Sequence, residues 1–154
     1  MILVSACFAN IKCRFDGNAK TVNWIQDLVT SGVAIPVCPE VLGGLPIPRP
    51  ACEIVISPDD GTKKVMDNTG VDRTEAFKKG AERTLDIAKA CGATIAILKS
   101  NSPSCGKDCI YDGTFSSVKV EGNGFAAQLL HNQGVSIFNE DEEADFCEYL
   151  ETFK

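Results

Sequence analysis

Histidine is almost missing from this chain: one residue, His131, in 154. A metal site built on imidazole has almost nothing to draw on, so any metal chemistry must lean on other donors. Long apolar runs are missing as well, which excludes a membrane-spanning helix of the usual length. Positive charge is in deficit. The 15 Lys and Arg against 21 Asp and Glu leave a formal net charge of −6. Nonspecific nucleic-acid binding needs a basic patch or stripe, so that class of function is disfavoured. The opening Met1-Ile2-Leu3-Val4-Ser5 has no basic segment before its apolar run. It reads as a first strand rather than an export signal, and the cytoplasm is the expected compartment. Repeats, low-complexity segments and linkers are also missing, so one domain over 1–154 is the simplest division.

What the chain does have is sulfur, with eight cysteines. In a reducing compartment these are metal ligands, catalysts or small buried hydrophobes rather than a disulfide framework. Hydrophobic residues at 44% and charged residues at 23% are ordinary for a globular chain that folds on its own core.

Apolar runs and breakers predict an alternating order of elements. Strands are expected at Ile2–Ala6, Val33–Val37, Ala93–Leu98 and Val135–Phe138. Helices are expected at Ala19–Ser31, Asp72–Cys91, Gly124–Asn132 and Asp141–Thr152. Cys52–Ser57 and Lys63–Asp67 read as a hairpin across Pro58-Asp59-Asp60-Gly61-Thr62. The Pro- and Gly-rich stretch Cys38–Pro50 is expected to be neither regular helix nor central strand, and Lys99–Ser117 an irregular loop. Strands alternating with helices imply an α/β fold: an open, mostly parallel sheet flanked by helices. The hairpin is then an insertion, at the sheet's edge or over a site.

Three cysteines fall just past apolar runs: Cys7, Cys38 and Cys105. If those runs are parallel strands, all three thiols lie along the sheet's carboxyl edge, where open α/β sheets build their sites. Thiolate-rich ligation selects zinc, copper(I) or iron–sulfur. A cubane cluster usually takes four cysteines. Three would leave one iron open as a Lewis acid. Glu40, two residues after Cys38, would place an acid–base group beside it.

The other candidates have plainer readings. Cys91 and Cys147 read as buried small hydrophobes and Cys52 as structural, whereas Cys13 and Cys109 stay open. Cys105 and Cys109 are close enough in sequence to bond when oxidised. Asp16 and Asp112, each followed by glycine, read as turn residues. Arg49, between Pro48 and Pro50, is either an aimed guanidinium or half of a structural ion pair.

Five segments also carry a resemblance: Val4-Ser5-Ala6-Cys7; Cys13-Arg14-Phe15-Asp16-Gly17; Pro36–Pro50, which contains Cys38-Pro39-Glu40; Leu98–Gly106, which contains Ser102-Pro103-Ser104-Cys105; and Ile110-Tyr111-Asp112-Gly113-Thr114-Phe115. In this order they resemble the thiouracil desulfurase family, from the first strand to about residue 115. The resemblance implies a 4Fe–4S cluster on Cys7, Cys38 and Cys105, with the fourth iron open to substrate sulfur. It also implies catalytic roles for Glu40 and Ser102, and a small thiolated pyrimidine as substrate. Phe8 and Asn101 depart from the family pattern without touching the ligand positions.

Two other classes compete. A zinc hydrolase could use Cys38, Glu40 and Cys105 in the manner of zinc deaminases. Those carry a Pro-Cys-x-x-Cys pair, and the Cys105–Cys109 spacing is one residue too wide for it. A non-enzymatic thiol- or cluster-binding module would explain the cysteines but not Glu40 and Ser102 beside them.

Overall fold

The computed structural model describes Met1–Lys154. Strand β1 (Ile2–Ser5) runs into a single 3-10 turn (Ala6–Ala9), followed by α1 (Asn23–Thr30), β2 (Ala34–Val37) and the short α2 (Pro39–Leu42). The hairpin β3 (Cys52–Ile56) and β4 (Lys63–Asp67) leads to the long α3 (Thr74–Cys91) and β5 (Ile95–Ile97). A second hairpin, β6 (Cys109–Tyr111) and β7 (Lys119–Glu121), precedes α4 (Phe125–Asn132), β8 (Ser136–Phe138) and α5 (Glu143–Glu151).

Four strands make one sheet in the order β2-β1-β5-β8, every neighbouring pair parallel. Both faces of that sheet are covered, which is why its strands are nearly unbroken apolar runs. Val4 and Ile97 pack with Ile25 of α1 and Phe146 of α5 on one face. Leu3, Ala96 and Leu98 pack with Ala88 of α3 and Leu130 of α4 on the other. The chain therefore leaves β1 on one face to reach β2, and returns on the opposite face to reach β5. The two crossovers diverge at the carboxyl ends of β1 and β5, where such sheets open a crevice for ligands.

The hairpin β3–β4 is a separate two-stranded sheet. It rests on its own small core of Leu45, Ile54, Val65, Phe77 and Ile110, and Cys52 and Glu53 at its base reach the crevice. The insertion thus lies over the site.

Three expectations change. Helix α1 starts at Asn23 because the preceding residues are engaged elsewhere. Lys20 and Val22 donate their N–H groups to the carbonyls of Cys7 and Phe8 at 2.9 and 3.0 Å, which braces the turn that carries Cys7. The Pro-rich stretch does contain a helical turn, α2, since proline is tolerated at the first helical position. The expected loop after β5 contains the hairpin β6–β7. Its second strand is exposed along its whole length and so has no apolar alternation to reveal it.

Helix α2 lies against α3 through two facing glycines. A Cβ on Gly43 would stand 2.0 Å from the carbonyl oxygen of Ala76, and one on Gly80 would stand 1.9 Å from that of Pro39. Only glycine allows this approach, and it fixes the position of α2.

Candidate active site

Each proposed ligand cysteine sits where a strand of the sheet ends. Cys7 is buried in the turn after β1, Cys38 caps the amino end of α2 directly after β2, and Cys105 is buried in the loop after β5. All three line one cavity of about 320 Å³. The Cys105 loop is held from inside: the Ser102 hydroxyl oxygen accepts the N–H groups of Ser104 and Cys105, both at 3.1 Å. Its base is tied to β1, where Lys99 N–H donates to the Ser5 hydroxyl at 2.8 Å. Glu140, beyond β8, accepts Ser100 N–H at 2.9 Å and pairs with Lys99 at 3.1 Å. Asn101 takes a left-handed backbone, φ 64°, which asparagine tolerates better than most residues.

Two more cysteines share the wall. Cys13 and Cys52 both line the cavity, and Cys38 Sγ stands 3.9 Å from the Cys13 carbonyl oxygen. Cys13, left open by the sequence, is therefore a site residue by position, and Cys52 is wall rather than remote scaffold. All eight cysteines are free thiols. Burial pushes the Cys7 thiol up to about 11 and the Cys105 thiol up to about 12. A hydrogen bond donated by the Cys13 thiol side chain draws Cys38 below its ordinary value. Binding a metal group at Cys7 and Cys105 must displace their protons.

Glu40, on α2, enters the same cavity. Arg49 Nε donates to its Oε1 at 3.1 Å, and the Ser104 hydroxyl donates to its Oε2 at 2.9 Å. Arg49 is itself buried and donates again to the Pro46 carbonyl at 3.2 Å. The guanidinium is thus both aimed and paired: its partner is the candidate acid–base group. Ser102 Oγ lies 2.9 Å from Ser104 Oγ. With the Ser104 proton on Glu40, the Ser102 hydroxyl donates to Ser104, and a chain runs Ser102–Ser104–Glu40. Ser102 does not touch Glu40; Ser104 makes that contact. Sequence reasoning passed over Ser104, whose one signal was its place next to Cys105.

Other candidates lie elsewhere. His131 borders a different cavity, with Lys107 and Asn123, and Cys109 is not part of the site wall. Asp16 accepts Asn18 N–H at 3.0 Å and Asp112 accepts Thr114 N–H at 2.9 Å, so both are turn residues. Cys91 packs against the core but is only partly buried. Cys147 does not: it is exposed, because α5 turns Phe146 inward and the next residue on a helix points about 100° away.

No three His, Cys, Asp or Glu side chains are grouped tightly enough for a single metal ion. That is the wrong arrangement for tetrahedral zinc. A cubane takes each thiolate on a different corner, so its donors stand apart around a volume. Thiols from three loops, ringing a cavity without histidine, fit such a cluster.

The family model described as 2-thiouracil desulfurase matches residues 2–142. The uncharacterized protein YbbK of Bacillus subtilis (strain 168) is 42% identical over 149 residues, covering 94% of this chain and 99% of YbbK. A solved structure of a 4Fe–4S-dependent thiouracil desulfidase, TudS, matches with a TM-score of 0.88 at 38% identity, covering 98% of this chain and 97% of the other. A match from the first strand to the start of the last helix, joined to a likeness of fold over almost every residue, shows that the chain belongs to the 2-thiouracil desulfurase family.

Proposed function

We propose that this protein converts thiouracil to uracil at a 4Fe–4S cluster held by Cys7, Cys38 and Cys105, with Glu40 as the acid–base group. The observation that carries the reading is the meeting of three strand-end thiols and a hydrogen-bonded carboxylate in one cavity at the switch point of the sheet. When bound, the cluster supplies a soft iron without a protein ligand, a sink for the departing sulfur.

The reaction exchanges C=S for C=O. One water enters, hydrosulfide leaves with a proton, and no electrons change hands. Glu40 takes a proton from the attacking water and returns one to the leaving side. Such assistance is typically worth about 10²–10⁴-fold. Arg49 clamps Oε1 and sets the plane of the carboxylate, which leaves Oε2 for proton exchange. Ser104 holds Oε2 in place, and Ser102 extends the chain from Ser104 while ordering the backbone at Cys105. The cavity is at the small end of ligand pockets, and a cluster on its three thiols would leave room for a small substrate only.

Eight free thiols fit the reducing cytoplasm. No helix is long and apolar enough to cross a membrane, and the acidic balance argues against a nucleic-acid partner. The test is anaerobic incubation of the cluster-loaded protein with thiouracil. Uracil and sulfide should appear in equal amounts; no conversion by a fully loaded protein sinks the reading.

A further inference from the structure

The proposed chemistry leaves one carboxylate of the cavity wall unused. Glu53 stands on β3 at the base of the inserted hairpin, is only 9% exposed, and lines the cavity. Its Oε1 accepts two backbone N–H groups, from Gly113 at 3.0 Å and Phe115 at 3.2 Å. These bonds tie the hairpin to the loop between β6 and β7. Glu53 takes part in none of the chain's ion pairs. Its Oε2 accepts no hydrogen bond from the protein, yet that oxygen is not sealed from solvent, and the residue lines the cavity.

A buried carboxylate without a cation is costly unless its lone pairs are used. Anchoring the loop needs a single acceptor oxygen, which a neutral glutamine would supply at lower cost. What the carboxylate adds is a second acceptor open to the cavity, and its natural complement is an N–H donor. No grouping of acids around it suits a metal ion.

We propose that Glu53 Oε2 accepts a ring N–H of the substrate, so that Glu53 selects bases with an unsubstituted N–H beside the thiocarbonyl. The inference rests on the desulfurase reading and adds how the ring is oriented: one edge meets Glu53 while the thiocarbonyl meets the thiol-lined side. No bond forms or breaks at Glu53.

The test is Glu53→Gln in the cluster-loaded enzyme. Glutamine can keep its carbonyl oxygen on Gly113 and Phe115 but presents a donor to the cavity. The KM for thiouracil and the inhibition constant for uracil should rise together, roughly 10- to 100-fold, as expected for a lost charge-assisted bond. Iron content and melting temperature should stay close to those of the unaltered protein. An unchanged KM and unchanged uracil inhibition, with or without a lower melting temperature, would leave Glu53 as a loop anchor only and overturn the proposal. Should the variant fail to load its cluster, N-methylated uracils tested as inhibitors of the unaltered enzyme decide. At least one of the N1- and N3-methyl derivatives should bind about ten times more weakly than uracil; equal binding of all three overturns the proposal. Tight, N–H-dependent uracil binding by a protein that never converts thiouracil would instead count against the desulfurase reading alone.

Discussion

Arg49 donates from Nε to Oε1 of Glu40 across 3.1 Å, and the Arg49 side chain is 4% exposed. Prolines on both sides stiffen the backbone beneath that guanidinium. Glu40 is held from the other side by Ser104 at 2.9 Å. A carboxylate fixed at both oxygens cannot swing, and a fixed proton acceptor is what a reaction at one defined atom requires.

Glu40→Gln should therefore keep the cluster and lose turnover. Glutamine is nearly the same size, so α2 should still form and Cys38 should keep its place. The rate of thiouracil desulfuration should fall on the order of 10²-fold or more, with cluster absorbance intact. A loaded mutant that works at the unaltered rate would remove Glu40 from the chemistry and leave it as the partner of Arg49.

The two serines should separate by what they lose. Ser104→Ala removes the donor to Glu40 Oε2, and turnover should drop roughly 10- to 100-fold with iron content unchanged. Ser102→Ala also strips the acceptor from two N–H groups at Cys105. It should cost about 1–3 kcal/mol of stability and part of the iron. Side-by-side iron assays and denaturant titrations of the two variants check this; identical behaviour would argue against Ser102 as the acceptor that orders the backbone at Cys105.

Cysteine placement predicts a contrast between Cys38→Ser and Cys147→Ser. The first removes a thiolate at the end of β2 and should abolish stable cluster binding. The second changes an exposed position on α5 and should shift stability by no more than about 0.5 kcal/mol. Equal iron in the two purified variants would mean the ligand set is misassigned.

Gly80→Ala separates helix propensity from packing. In an open helix the change stabilises by about 1 kcal/mol. Here the new methyl would meet the Pro39 carbonyl at 1.9 Å, and overpacking of that kind costs about 1–3 kcal/mol. Packing wins, so the variant should melt lower. It should also bind its cluster less well, because α2 carries Glu40 and is capped by Cys38. A more stable Gly80→Ala protein would contradict the close approach of α2 and α3.

Much of this architecture was legible in the residues. The four parallel strands are buried on both faces, so they survive as short apolar runs. Helix α3 ends where Gly92 takes the left-handed backbone, φ 66°, that glycine adopts at a helix end. The strand-end cysteines followed from those runs alone, and the motif resemblance supplied Ser102 and the cluster. What stayed hidden depends on distance along the chain. Ser104 meets Glu40 across 64 residues, and Glu53 meets Gly113 across 60; no local pattern records such contacts. Helix α2 is a single turn, too short for periodicity. The face of α5 was misread because an apolar cysteine beside Phe146 looks as buried as its neighbour until the helix is set against the sheet.

The central claim is that three thiols at the carboxyl edge hold an iron–sulfur cluster that takes sulfur from a pyrimidine. Its most direct test is anaerobic reconstitution, with iron, acid-labile sulfide and thiouracil conversion measured on the same sample. The account predicts a brown protein with about four irons and four sulfides per chain that turns thiouracil into uracil and sulfide in equal amounts. A colourless protein carrying one zinc, or a fully loaded cluster that leaves thiouracil untouched, would contradict it.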